Sequence, residues 1–147
     1  MKKIKELYQE TILQHSKKPV NEKEMADPDL MIRAYNPMCG DKYTFYLKVE
    51  NEVIKEASFS GYGCSISKAS SSILMKKIVG MSIQETSALV KVFMEILDPE
   101  SAHATSDLSQ DKELLAFSAT RSFPERIQCA ALGWKKVGEC ISNLLNS

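Results

Sequence analysis

Lys42-Tyr43-Thr44-Phe45-Tyr46-Leu47-Lys48-Val49 alternates large apolar and polar side chains along its length. Tyr43, Phe45, Leu47 and Val49 fall on one face, with Thr44, Tyr46 and Lys48 on the other, the period of a half-buried strand. Glu50-Asn51-Glu52 makes a tight turn, and Val53 to Ser60 returns with Val53, Lys55, Ala57 and Phe59 on one face. Leu30 to Tyr35 adds a short strand before the Asn36-Pro37 turn. Three strands of this kind predict a small antiparallel sheet with one wet face. After Gly63 the period changes from two to about 3.6. Ile66, Ala69, Ile73 and Ile78 mark a helix that Gly80 stops.

Outward from this unit the chain is helical. Lys3 to Ser16 carries Ile4, Leu7, Tyr8, Ile12 and Leu13 as one stripe, and a polar stretch from Val20 to Asp29 follows. Ser82-Ile83-Gln84-Glu85 reads as a capping box. The helix it opens buries Ile83, Leu89, Val90, Phe93, Ile96 and Leu97 and ends at Asp98-Pro99. Ser101 to Asp111 reads as a surface loop and Asp111 to Ala119 as a short helix. The last helix starts near Pro124, with Ile127, Ala131, Trp134, Ile141 and Leu145 inward. The fold class is α+β: a three-stranded antiparallel sheet with helices packed on one face, helix-rich in the C-terminal half, one domain over residues 1–147.

Nineteen basic side chains balance nineteen acidic ones, so no global field draws this chain to nucleic acid or to an anionic membrane. No apolar run approaches the roughly 18–20 residues of a membrane span. Met1-Lys2-Lys3-Ile4-Lys5-Glu6 has no apolar stretch behind its charges, so it does not read as a secretory signal. The expected compartment is the cytoplasm, where cysteines serve as thiols or metal ligands rather than as disulfides.

Three of the four cysteines stand beside glycine or proline turns: Asn36-Pro37-Met38-Cys39-Gly40-Asp41, Gly61-Tyr62-Gly63-Cys64 and Phe123-Pro124-Glu125-Arg126-Ile127-Gln128-Cys129. In an extended strand Cys39 and Asp41 would stand roughly 6–7 Å apart, and Gly40 permits the tighter backbone that brings them to one ion. Cys64 and Cys129 are expected in the first turns of helices, where partial positive charge favours thiolate. On its helix Cys129 is expected to face away from the Ile127–Trp134 stripe, out of the core. Cys140 lies about 16 Å further along the axis and reads as a spare surface thiol. Three thiolates and a carboxylate suit tetrahedral zinc. Iron–sulfur clusters also take thiolates, with the carboxylate as a harder, weaker ligand.

Plainer readings stand beside these. Any one of the thiols could be a small core residue. Ser65, Ser67, Ser70, Ser71 and Ser72 read as small residues for close helix packing before they read as a phosphate site. His15 reads as a surface or capping side chain and His103 as a loop residue.

Taken together, these segments resemble the U-type iron–sulfur cluster assembly proteins, the IscU/SufU/NifU N-terminal family, over nearly the whole chain. The likeness is carried by Tyr8-Gln9-Glu10-Thr11-Ile12-Leu13-Gln14-His15 and by the three cysteine segments, with Ser65-Ile66-Ser67-Lys68-Ala69-Ser70 following Cys64 and Ala130 following Cys129. The resemblance implies Cys39, Asp41, Cys64 and Cys129 as a metal-binding quartet and a pyridoxal-phosphate-dependent cysteine desulfurase as partner. The scaffold branch of the family carries a Leu-Pro-Pro-Val-Lys segment and a histidine before its last cysteine. Here Ser122-Phe123-Pro124-Glu125-Arg126 and Gln128 stand instead, and Asp98 to Thr120 is an insertion. Both features resemble the SufU branch, which usually has a basic residue where Gln128 stands.

The resemblance therefore implies a zinc-dependent sulfurtransferase. By analogy with that branch, a histidine of a SufS-like desulfurase displaces Cys39 from zinc. Cys39 then accepts persulfide sulfur, Asp41 tunes lability and Arg126 guides docking. Sulfur would pass on to an iron–sulfur scaffold or apo-proteins. The alternative is a scaffold on which a transient [2Fe–2S] cluster is built, and a third reading is a non-catalytic zinc module.

Overall fold

The alternation read in the sequence becomes an antiparallel sheet in the order β1-β2-β3, formed by Leu30–Asn36, Asp41–Glu50 and Val53–Tyr62. The structure, a computed structural model, describes residues 3–147. Met1 and Lys2, which open the segment read as lacking a leader, lie outside them. Helix α1 (Ile4–Lys17) precedes the sheet. After it come α2 (Ser65–Ile78), α3 (Ile83–Leu97), the short α4 (Thr105–Leu108) and α5 (Lys112–Ala116), a 3₁₀ segment Phe117–Ser122, and α6 (Pro124–Leu145). The α+β class stands. No described helix is long and apolar enough to cross a membrane.

Two strand assignments need correction. Glu56 faces Lys48 but Ile54 faces Val49, so Lys55 is an extra residue in β3. A bulge of this kind reverses the inside–outside phase between the residues on its two sides. Ile54 is therefore the buried residue and Lys55 is exposed, opposite to strict alternation. Nor is the outer face uniformly wet, because Tyr46 and Ser58 are buried there. The polar stretch Val20–Asp29 is pinned at both ends to the sheet. The Asn21 carbonyl accepts the Phe59 N–H, and Asp29 bonds Leu47 and Val49. The hairpin end, with Arg33, Tyr35, Lys42 and Tyr62, is exposed.

Helix α2 runs through the middle of the molecule, and its serines are what let it do so. Ser67, Ser70, Ser71 and Ser72 are all buried. Ser70 Oγ donates to the Ala130 carbonyl and the Trp134 indole N–H donates to the Ser70 carbonyl, stitching α2 to α6. On its other side α6 lies against β2 through Gly133, where an added Cβ would come within 2.5 Å of Phe45 Cζ. Squeezed between sheet, α2 and α3, α6 buries far more than one stripe: Cys129, Ala130, Ala131, Leu132, Gly133, Trp134, Val137 and Ile141. Ile127 is only half-buried and Leu145 is exposed, contrary to the stripe expected.

The expected stripe of α1 holds for Leu7, Tyr8 and Ile12, which are half-buried, but not at its edges. Ile4 and Leu13 are exposed, while Thr11 and His15 are buried. His15 is therefore not a surface or capping residue. Its Nδ1 meets Ser72 Oγ at 2.8 Å and its Nε2 meets Glu113 Oε2 at 2.5 Å. This serine–histidine–glutamate chain is structural, because Ser72 has no exposure to any substrate. It anchors the segment 98–120, which is packed rather than loose. Lys76 and Lys77 pair with Glu113, and Lys77 also holds Asp111, the N-cap of α5. Phe117 packs edge-on against Tyr8 and Phe93, and Phe93 stacks on Trp134. The loop expected over Ser101–Asp111 contains the one-turn α4.

Burial alone would raise the Glu113 pKa, but hydrogen bonds from Lys76, Lys77 and His15 overcome it and hold the group at about 2. A depressed carboxylate stabilises above its unfolded value of about 4.5, and that contribution disappears as pH falls through the folded value. Glu113→Gln should therefore be less stable than the natural protein at pH 6–7. The two should converge toward pH 2 in denaturant midpoints followed by circular dichroism. Gly133→Ala should cost about 1–3 kcal/mol by overpacking against Phe45, read in the same assay at pH 7.

Candidate metal centre

The first hairpin builds half of the site. Asn36 and Asp41 close it as register partners, leaving Pro37, Met38, Cys39 and Gly40 as a four-residue loop. The Cys39 and Gly40 N–H groups both donate to the Asn36 carbonyl, and Gly40 takes φ +72°, a conformation that favours glycine. Strand alternation does the rest. Asp41 shares a face with Tyr43, Phe45 and Leu47, so its carboxylate points into the core end and has no exposure, while Cys39 on the loop is exposed.

The turn into α2 builds the other half. Cys64 is the N-cap of α2, and its sulfur accepts the Ser67 N–H at 3.4 Å. The Cys64 N–H donates to Asp41 Oδ1 at 2.8 Å and Ser67 Oγ donates to the same oxygen at 3.0 Å. Asp41 Oδ2 receives only the longer 3.4 Å bond from the Asn36 amide. Tyr43 Oη lies 3.0 Å from Ser67 Oγ, and burial pushes its pKa up to about 12, so it stays a neutral donor. Gly63 makes this cluster possible. A Cβ there would lie 2.5 Å from Asp41 Oδ1 and 2.6 Å from both Ser67 Oγ and Tyr43 Oη.

Cys129 arrives from α6. Its sulfur is 3.3 Å from Cys39 Sγ, and the donor atoms of Cys39, Asp41 and Cys129 all lie within 4.8 Å of one another. Cys64 is outside that group, its sulfur accepting from the Ser67 N–H, yet it is near enough to act on Cys129. Two expectations about Cys129 fail. It is the sixth residue of α6 rather than a first-turn residue, and it is buried rather than facing away from the core. Burial, the Cys39 hydrogen bond and the nearby Cys64 push its thiol up, the opposite of a thiolate favoured by a helix end. Proline does open α6 as its local signal predicts, but the helix is enclosed on several sides there and a single stripe cannot show that.

Arg126 is exposed one turn earlier, beside a cavity of about 450 Å³ that Tyr8 and Phe123 also line. The Tyr8 hydroxyl is buried with no hydrogen-bond partner among the described residues. Cys140 is half-buried and its thiol is raised by burial, so it is not a free surface thiol. His103 pairs with Glu95 and His15 with Glu113, away from the thiols. Sequence reading missed Asn36, Tyr43 and Ser67 as the partners that hold Asp41. The signal was present in Ser67, which sits three residues after the N-cap Cys64.

The donor set fits a thiophilic divalent ion. Soft sulfurs converge with one carboxylate oxygen whose lone pairs are not used up by its own hydrogen bonds.

Residues 7–130 match the family model described as the NifU-like N terminal domain. The chain is 33% identical over 147 residues to the iron–sulfur cluster assembly scaffold protein IscU of Streptococcus pyogenes, covering all of this chain and 90% of that one. It is also 33% identical over 129 residues to the zinc-dependent sulfurtransferase SufU of Bacillus subtilis, covering 88% and 85% of the two chains. The solved structure of a NifU-like N-terminal protein from Brucella abortus superposes with a TM-score of 0.80 at 21% identity, over 98% of each chain, which establishes likeness of fold. Hairpin and enclosed α6 thus bring Cys39, Asp41 and Cys129 together, with Cys64 at the nearby helix cap, in a chain that belongs to the NifU-like N-terminal domain family, the U-type iron–sulfur cluster assembly proteins, with both IscU and SufU among its relatives.

Proposed function

We propose that this protein is a sulfur acceptor in iron–sulfur cluster assembly, taking persulfide sulfur onto Cys39 in a zinc-dependent sulfurtransferase reaction. One observation carries this reading: of Cys39, Cys64 and Cys129 only Cys39 is exposed, and it stands on a short loop. Cys39, Asp41, Cys64 and Cys129 would hold the zinc. When bound, zinc keeps its thiol ligands deprotonated at neutral pH, which overcomes the burial that disfavours a Cys129 thiolate.

The Cys39 thiolate attacks the outer sulfur of a persulfide presented by a SufS-like, pyridoxal-phosphate-dependent cysteine desulfurase. The donor's S–S bond breaks, a new S–S bond forms on Cys39, and the donor cysteine leaves as thiolate. One disulfide-type bond replaces another, so no external oxidant is needed. Cys64, at the cap of α2, and Cys129, within α6, would keep their places as Cys39 turns to the donor. Arg126, exposed beside the cavity, supplies positive charge for docking or for the anionic sulfur. The sulfur then passes to a downstream scaffold or apo-protein in the cytoplasm.

A second reading treats a [2Fe–2S] cluster as cargo assembled on the same four residues. Asp41 favours it, since one hard ligand among soft ones would let a cluster leave.

Zinc-loaded protein should raise the turnover of its desulfurase and carry persulfide on Cys39 by mass spectrometry, and Cys39→Ala should do neither. No stimulation of a competent desulfurase, together with a stoichiometric chromophoric cluster on anaerobic reconstitution, would move the assignment to the scaffold. Gly63→Ala should displace the Asp41–Ser67–Tyr43 cluster. Its zinc affinity, measured by chelator competition, should fall by roughly 10–100-fold with the far-ultraviolet spectrum preserved.

A further inference from the structure

The open end of the outer sheet face carries charge and aromatic surface that the sulfur chemistry does not use. Tyr35 pairs with Lys42 across β1 and β2, and Lys42 pairs with Tyr62 across β2 and β3. The three side chains therefore form one cross-strand row, next to the Asn36–Asp41 pair that closes the Cys39 loop. Arg33 stands in the next row out, opposite Thr44, which faces Ser60.

Tyr35 is 61% exposed and Tyr62 65% exposed, and Met38 at the loop is 85% exposed. A depression of about 350 Å³ opens between Arg33, Tyr35, Lys42, Thr44 and Tyr62. Among the described residues no carboxylate pairs with Arg33 or Lys42; Arg33 makes only a 3.9 Å contact with the Met31 sulfur. At the far end of the same face the situation reverses, since Lys48 has Glu56 across from it at 3.8 Å.

Two uncompensated cations flanked by two exposed tyrosines are not what an idle neutral surface presents. Aromatic side chains and arginine are enriched where proteins bind one another, and unpaired surface charge steers a partner of opposite sign. A nucleic acid fits less well, because two cations neutralise too few phosphates on a chain with no net charge.

We propose that the Arg33–Tyr35–Lys42–Tyr62 surface docks an acidic segment of the sulfur-donor protein, holding it beside the Cys39 loop. This rests on the sulfur-acceptor reading for the identity of the partner, but the surface and its chemistry are read from the sheet alone. Lys42 and Arg33 would meet carboxylates and the tyrosine rings would cover apolar side chains between them. Gly61, with φ +126° and no room for a Cβ against the Lys42 carbonyl, lets β3 run close against β2 beside this row.

The test measures both binding and turnover with the desulfurase. The variants are Arg33→Glu with Lys42→Glu, Tyr35→Ser with Tyr62→Ser, and, as control, Lys91→Glu with Lys135→Glu in the groove between α3 and α6. For the first pair the Kd and the acceptor concentration at half-maximal turnover should rise at least tenfold, while turnover at saturation and zinc content stay within twofold. Salt raised from 50 to 300 mM should weaken the natural protein and leave the reversed variant nearly unaffected. The tyrosine pair should weaken binding without changing the salt dependence, and the control should match the natural protein.

Unchanged Kd in the reversed variant would overturn the proposal while leaving the acceptor role intact. Binding lost in that variant, with a natural protein that binds but never stimulates turnover, would overturn the acceptor role and leave the docking surface standing. An equal salt slope in both would rule out an acidic occupant.

Discussion

The buried Asp41 carboxylate is the tie on which the metal end depends. It is the last inward residue of the sheet and the acceptor for the first backbone N–H of the Cys64 turn. A wholly buried carboxylate is costly unless its lone pairs are used. Here the Cys64 N–H, the Ser67 hydroxyl and the Asn36 amide use them, and in doing so they fix the hairpin against the start of α2. Cys39 and Cys64 come from different supersecondary units, and this shared acceptor sets their relative position. Gly63 is the geometric condition for it, because any side chain there would occupy the space of the acceptor itself.

The three thiols have different physical standing as a result. Cys64 belongs to a helix cap and Cys129 to an enclosed helix, so each is held by backbone that also serves the core. Cys39 is held only by a loop whose N–H groups fold back on Asn36. A centre meant to release one ligand and keep the others needs this inequality. It arises from ordinary turn geometry.

Much of this was legible in the sequence. The β2 alternation, the capping box at Ser82–Glu85, the stop at Gly80 and the start at Pro124 all reappear in the structure, because each is a local signal. The candidate ligands were legible as residues beside turns. The features that escaped were set by packing from outside the segment concerned. The extra residue at Lys55 comes from how β3 pairs, and the burial of Cys129 from α6 being enclosed by sheet, α2 and α3 together. His15 looked like a surface residue because the segment that covers it lies far along the chain. Periodicity within one helix says which face is apolar, but not how many neighbours it will meet.

The His15–Glu113 contact joins residues separated by 98 positions. Closing so long a loop carries an entropic cost that shorter contacts avoid, and distant pairings tend to form late. The hairpin and the Cys64 turn lie close together in sequence and can organise first. Helix α1, whose Tyr8 lines the cavity beside Arg126, packs on α2 and gains its remaining contacts when residues 112–122 dock. Cys129, 90 positions from Cys39, joins the site through a closure almost as long, so the hairpin and the Cys64 turn form the local half of the centre and α6 supplies the distant one.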